Sequence, residues 1–279
     1  MGGDFTGWIG RERSLADRID ANRAEALRVT LESADPAMAE GRPLPELWHW
    51  AYFWELPPLS GVGPDGHAAR GEFLPPIPLP RRMWAGSRLT WHAPLPVGAL
   101  AERRSTILKV EEKSGRSGRL AFVTVGHSIT GPGGLAIEEE HDIVYREAPA
   151  AGAPPPRLEP APVTAAWRRE LAPSPVLLFR YSALTFNGHR IHYDQPYATG
   201  VEGYPGLIVH GPLLATLMVD LARREAAGRR LARFAFRARS PIFDTAPFAV
   251  CGEPGAEGAT LWIAGPDGAL AMQGEVSFG

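Results

Sequence analysis

A chain of 279 residues with one cysteine, Cys251, can form no intramolecular disulfide, thiolate zinc cluster or CxxC redox pair. That scarcity points to a reducing cytoplasm. A surplus of one charge is missing too, since 29 Lys and Arg face 31 Asp and Glu. The formal net charge of −2 provides no broad positive field for nucleic acid or an acidic membrane surface, so an anionic ligand must be held by local charges. No uncharged apolar run approaches the roughly 18 residues that span a bilayer, and residues 1–10 show no basic start followed by an apolar core. These absences predict a soluble, unprocessed protein.

Proline and glycine are plentiful, with 28 and 31 residues, and they punctuate the chain. Ser14 and Asp17 resemble a capping box, and Leu15, Ile19, Ala26 and Val29 follow a helical period, which predicts an amphipathic N-terminal helix. Residues 48–54 are crowded with aromatics and read as a short strand, followed over 57–80 by a long covering loop. Residues 88–91, 102–111, 120–130 and 135–146 read as antiparallel strands, with a turn at 113–118. The segment 147–162 (EAPAAGAPPPRLEPAP) has almost no large apolar residue and reads as a spacer between domains 1–146 and 163–279.

Beyond the spacer, 176–181 reads as a strand and 187–206 as an irregular polar stretch. Pro212 suits a first helical position, and Leu213, Leu214, Leu217, Met218, Leu221 and Ala222 repeat at helical spacing until Arg223 and Arg224. Residues 231–239, 248–251, 259–263 and 269–278 are strand candidates. One apolar helix swaddled by antiparallel strands is a hot-dog. The first half has similar sheet content and a helix of similar length, which suggests a degenerate tandem repeat.

The densest polar, ring-bearing run is Asn187-Gly188-His189-Arg190-Ile191-His192-Tyr193-Asp194. Histidine exchanges protons near neutral pH, as acid–base work on a C–H bond and a water requires. The plainer reading is a histidine pair that closes an irregular loop. Imidazoles with Asp194 also resemble a facial ligand set, but no second cluster lies near in the sequence, and neither metal nor cofactor is expected. A second feature is His210-Gly211-Pro212, where a helix start leaves N–H groups able to hold an oxyanion or merely to be capped.

Together, residues 181–198 (YSALTFNGHRIHYDQPYA) and 202–214 (EGYPGLIVHGPLL) resemble the MaoC-like hydratase motif, most closely in the hydroxyacyl-thioester dehydratase type 2 branch and in mesaconyl-C(4)-CoA and itaconyl-CoA hydratases. Residues 73–89 (FLPPIPLPRRMWAGSRL) and 113–127 are similar to the non-catalytic N-terminal domain of that group. The resemblance implies an α+β double hot-dog, two antiparallel sheets each wrapped around a helix. It implies a hydro-lyase adding water to an acyl-CoA thioester, or removing it, in a homodimer. The family's catalytic His corresponds to His192 and its oxyanion glycine to Gly211, whereas its Asp position holds Asn187.

An amide accepts no proton as a base, so acid–base duty falls mainly on His192, with an acid limb expected near the reference value of about 6.5. His189 and Asp194 are candidate helpers, and His210 a candidate substrate contact. Arg81, Arg82 and Arg190 are candidates for a distal substrate carboxylate or a CoA phosphate. His67, His92, His127 and His141 are expected to be structural, leaving one active site per chain.

Overall fold

The computed structural model describes residues 4–115, 118–148 and 158–279. The stretch expected as a single N-terminal helix divides in two. Glu12–Arg18 forms β1, alternately exposed and half-buried, paired to β3 (Leu100–Gly115) with Ser14 opposite Arg104 and Asp17 opposite Ala101. Asp20 caps the helix instead, its carboxylate accepting from Arg23 N–H at 2.9 Å, and α1 runs Ala21–Thr30. Residues 12–18 follow a period of two, and pairing with a long neighbouring strand outweighs the weak cap at Ser14.

The remaining strands of the first half are β2 (Arg81–Trp91), β4 (Gly118–Gly131) and β5 (Gly134–Arg146), each longer than its apolar run suggested. Aromatic residues 48–54 are not a strand. They hold a 3₁₀ turn, Trp48–Ala51, whose rings pack inward. Of the spacer 147–162, residues 149–157 lie outside the described residues, as do 116 and 117 of the turn at 113–118.

In the second half, the run 176–181 is part of helix α2 (Pro175–Leu184) and not a strand. Ser174 caps it by accepting from Leu177 N–H at 3.2 Å, and Pro175 opens it. These end signals outrank a short apolar run that suits either structure. The polar stretch contains a short helix, α3 (Gln195–Gly200), ahead of α4 (Gly211–Glu225). Strands β7 (Leu231–Ala238), β8 (Phe248–Pro254), β9 (Gly258–Ala264) and β10 (Leu270–Phe278) fall where expected. An unexpected strand, β6 (Trp167–Leu171), reads WRREL. It pairs only with β8 at the sheet edge, where a polar outer face leaves no apolar run to recognise.

The strands form one ten-stranded sheet in the order β1-β3-β4-β5-β2-β7-β10-β9-β8-β6. From each outer edge inward the order is first, third, fourth, fifth and second strand of its half, so the tandem repeat is written in the topology. The two sheets expected are fused where β2 meets β7, from Gly86 opposite Arg237 to Thr90 opposite Arg233. Helix α4 lies against every strand of its half, and all ten residues from Leu213 to Ala222 are buried. This is the hot-dog arrangement. The first half departs from it, since α1 has ten residues against fifteen in α4 and packs chiefly on α2 and the Trp48–Ala51 turn.

Candidate active site

Helix α2 delivers the histidine loop. It ends with Phe186 in the left-handed region at φ 51°, and Asn187 N–H returns to the Ser182 carbonyl at 2.8 Å, closing the helix end as a Schellman turn. A phenylalanine holds this conformation because its ring stacks on Trp54 from the first half at 5.1 Å. The turn aims the following residues back toward the sheet. The Asn187 side chain is used at once, as its Oδ1 accepts the His189 N–H at 3.0 Å.

His192 sits in a 3₁₀ turn, Arg190–His192, and is 7% exposed. Its Nδ1 lies 2.8 Å from the Ile208 carbonyl, an acceptor only, so Nδ1 carries the proton and Nε2 the lone pair. Ile208 is itself fixed, donating to the Ile191 carbonyl at 3.0 Å and bridging to Phe243. The ring of His192 stacks on that of His210 at 3.7 Å. His210 is fully buried, and its Nε2 is 2.8 Å from Ser182 Oγ on α2. Burial lowers His192 to about 4 and pushes His210 well below its usual value, with the neighbouring imidazoles adding to the effect at His210. Both rings are neutral at neutral pH, with His192 below the reference value of about 6.5.

His210 is also the residue that begins α4. Its side chain caps no N–H of the helix, whereas Asp20, Ser174 and Asp194 cap α1, α2 and α3. Pro212 has no N–H, which leaves Gly211 and Leu213 as donors at the helix start beside His192. A Cβ added at Gly211 would meet only Met272 Cε, at 4.0 Å. The donors can therefore be approached closely by a ligand atom, and the helix dipole favours negative charge there.

The other candidates separate into two groups. Arg190 binds Asp194 at 2.8 Å, donates to the Pro64 carbonyl at 3.0 Å and lies over the Tyr197 ring. Asp194 caps α3, so this pair holds the loop together. Arg81 is occupied by Glu202 at 3.5 Å and by Tyr204 Oη at 3.3 Å. Arg82 has no ion-pair partner among the described residues. Burial is the main cause that lowers His67 and His189, and the Arg82 charge adds to it at both.

Asp65 was not singled out from the sequence, and His67 was expected only to be structural. The covering loop carries them into the site, where the His67 ring lies 3.9 Å from that of His189 and His189 meets His192 edge-on at 5.4 Å. Asp65, His67 and His189 each present a possible ligand atom, all within 4.8 Å of one another. The only signal was the Gly-Pro-Asp-Gly-His run itself, an acid two residues before a histidine in a Pro- and Gly-rich loop. Ser182 and the Ile208 carbonyl carried no signal at all.

Comparison with known proteins matches residues 47–244 to the hydroxyacyl-thioester dehydratase type 2 family. The chain belongs to that family. It is 50% identical over 276 residues to mesaconyl-C(4)-CoA hydratase of Chloroflexus aurantiacus, covering 99% of this chain and 98% of that one. It is 28% identical over 272 residues to the hydroxyacyl-thioester dehydratase type 2 of Schizosaccharomyces pombe, covering 88% of each. In fold it is similar to a MaoC-like dehydratase from Phytophthora capsici, with a TM-score of 0.70, 15% identity and coverage of 97% of this chain and 96% of that one. The family match spans the covering loop with Asp65 and His67, the histidine loop and all of α4, so its limits enclose every residue gathered around His192. Among the described residues no helix is long and apolar enough to cross a membrane.

Proposed function

We propose that the chain is an acyl-CoA hydro-lyase that adds water across an enoyl-CoA thioester or removes it from the 3-hydroxy form. The observation that carries this reading is the uncapped start of α4 beside a neutral imidazole with its lone pair on Nε2. In hydration the water oxygen bonds to Cβ as one proton passes to His192 Nε2. The π electrons move through Cα onto the thioester oxygen, where Gly211 N–H holds the developing charge. The imidazolium then returns the proton to Cα. His210 and the Ile208 carbonyl position the ring.

The 50% relative makes mesaconyl-C(4)-CoA the first substrate to try. Arg82, which has no ion-pair partner among the described residues and whose charge reaches His67 and His189, is the residue suited to a free distal carboxylate. A 3-hydroxyacyl-thioester dehydratase of fatty-acid synthesis is the neighbouring reading. A non-catalytic acyl-CoA-binding protein is the rival favoured by Asn187. The proposal includes a cytoplasmic setting, in keeping with the lone buried Cys251, and a homodimer, to be checked by light scattering.

Absorbance assays of the enoyl thioester with mesaconyl-C(4)-CoA, itaconyl-CoA and crotonyl-CoA test the reading. Loss of the enoyl chromophore is expected, abolished by His192→Ala. Binding of the thioesters with no turnover would favour the non-catalytic rival.

A further inference from the structure

Position 187 lacks the carboxylate expected there from the family resemblance, and the Asn187 amide oxygen is already taken by a backbone N–H. A water at His192 would thus lack a second fixed acceptor from its own loop. The first half brings one. Asp65 Oδ2 lies 2.9 Å from His67 Nδ1, and Asp65 Oδ1 accepts the His67 N–H at 3.1 Å, so the carboxylate grips both the ring and the backbone of the same residue. With Nδ1–H donated to Asp65, the His67 lone pair is on Nε2. That atom has no protein partner among the described residues and is not among the buried atoms sealed without one.

The attachment of this loop to the histidine loop is close. Arg190 N–H donates to the Asp65 carbonyl at 2.9 Å, and the Arg190 guanidinium donates to the Pro64 carbonyl at 3.0 Å. Between them, Gly66 at φ +89° approaches Gly188 so nearly that a Cβ would sit 1.8 Å from the Gly188 carbonyl oxygen. No other residue type permits that contact. Two loops more than 100 positions apart in the chain are locked backbone to backbone, with the tilted rings of His67 and His189 in contact at the junction.

We propose that Asp65 and His67 replace the missing carboxylate, with His67 Nε2 accepting the reacting water's second hydrogen and Asp65 positioning His67. This rests on the hydro-lyase reading above. One water proton passes to His192 and on to Cα, while the other stays on the oxygen throughout. His67 turns a lone pair of that oxygen toward Cβ and makes it more nucleophilic. His67 is then a catalytic residue and Asp65 a positioning residue. Burial keeps His67 below its usual value despite Asp65, so the ring is neutral and its acceptor available.

The test is steady-state hydration by the full chain. His67→Gln should lower kcat about 100-fold or more, and Asp65→Asn about tenfold, each with KM changed less than about threefold. Asp65→Glu should recover part of the loss, a rescue that a purely structural contact would not show, and thermal unfolding of Asp65→Asn should stay close to wild type. Wild-type turnover that survives in both His67→Gln and Asp65→Asn overturns the pairing. Loss of wild-type turnover on dialysis against a chelator, regained with zinc, also overturns it in favour of a metal held by Asp65, His67 and His189. Absence of wild-type turnover on every enoyl-CoA would instead sink the hydro-lyase reading, and this inference with it.

Discussion

Each half of the sheet buries a group of histidines, and the two groups are wired in opposite ways. In the first half, His49 and Trp50 donate to Glu139 at 3.2 and 3.0 Å and Ser87 donates at 2.8 Å, while His127 is 2.8 Å from Ser105 and His141 packs on Trp84. Glu139 is buried but held well below the usual carboxylate range by His49 and the surrounding imidazoles, which outweigh its desolvation. Its oxygens are spent on these donors. In the second half, His189, His192 and His210 have no carboxylate of their own loop bonded to them, and the nearest, Asp65, arrives from the other half. A buried network with its charge answered specifies structure; a stack of neutral rings with an open lone pair is suited to chemistry.

Exchanging the roles of the two groups should give the largest effects. His192→Ala is expected to lower turnover by about two to four orders of magnitude with little change in thermal unfolding. Glu139→Ala should do the reverse, leaving three buried donors unanswered and costing about 3–5 kcal/mol of stability while activity per folded molecule persists. Chemical denaturation alongside initial rates separates the two, and a Glu139→Ala protein of wild-type stability would end the comparison.

Gly66→Val should come next. It prises the covering loop from Gly188 and should cost turnover about tenfold to 100-fold, because the first half then no longer presents His67, while the distant Glu139 network keeps most of the stability. A variant with unchanged kcat would show that the two loops act independently.

Substrate selection gives a smaller contrast. Arg82→Met should weaken mesaconyl-C(4)-CoA by about tenfold relative to crotonyl-CoA, the worth of one charge-assisted hydrogen bond of about 1.5 kcal/mol. Arg190→Met, which frees Asp194 and the Pro64 carbonyl, should instead impair both substrates equally. KM and kcat for the two thioesters decide it.

The last contrast is a pH dependence shared by the halves. His127 and His141 are lowered to about 3 and about 4, and His189 and His192 to about 2 and about 4, all chiefly by burial. A lowered folded value means the unfolded chain binds these protons more readily. The stabilising contribution is thus whole above about 6.5 and is lost as pH falls toward the folded values. Tm should decline from pH 6.5 to 4, and the acid limb of kcat/KM should lie nearer 4 than 6.5. A Tm flat across that range would contradict the burial of these rings.

Much of this was legible in the residues. Alternation and turns located eight of the ten strands, the repeat of Leu and Met located α4, and the run from Asn187 to Asp194 located the histidine loop. The failures share a cause, which is that local pattern competes with partners distant in the chain. Residues 12–18 took strand geometry from β3, and residues 176–181 became helix because Ser174 and Pro175 start one. Asp65 and His67 were invisible because their meaning comes from Gly188, which no spacing rule connects to Gly66. The depressed His192 likewise comes from burial that the distant chain supplies, and it persists although the hydrogen bond to the Ile208 carbonyl raises it.

The seam between β2 and β7 also bears on how the chain is made. As the ribosome extends it, β2 pairs with β5 and then waits roughly 90 further residues for its second neighbour. Throughout that interval the newborn first half displays a bare strand edge, with Leu89 yet to meet Phe234. A chain stopped after residue 146 keeps that edge for good, a template on which the same strand of another truncated molecule can pair.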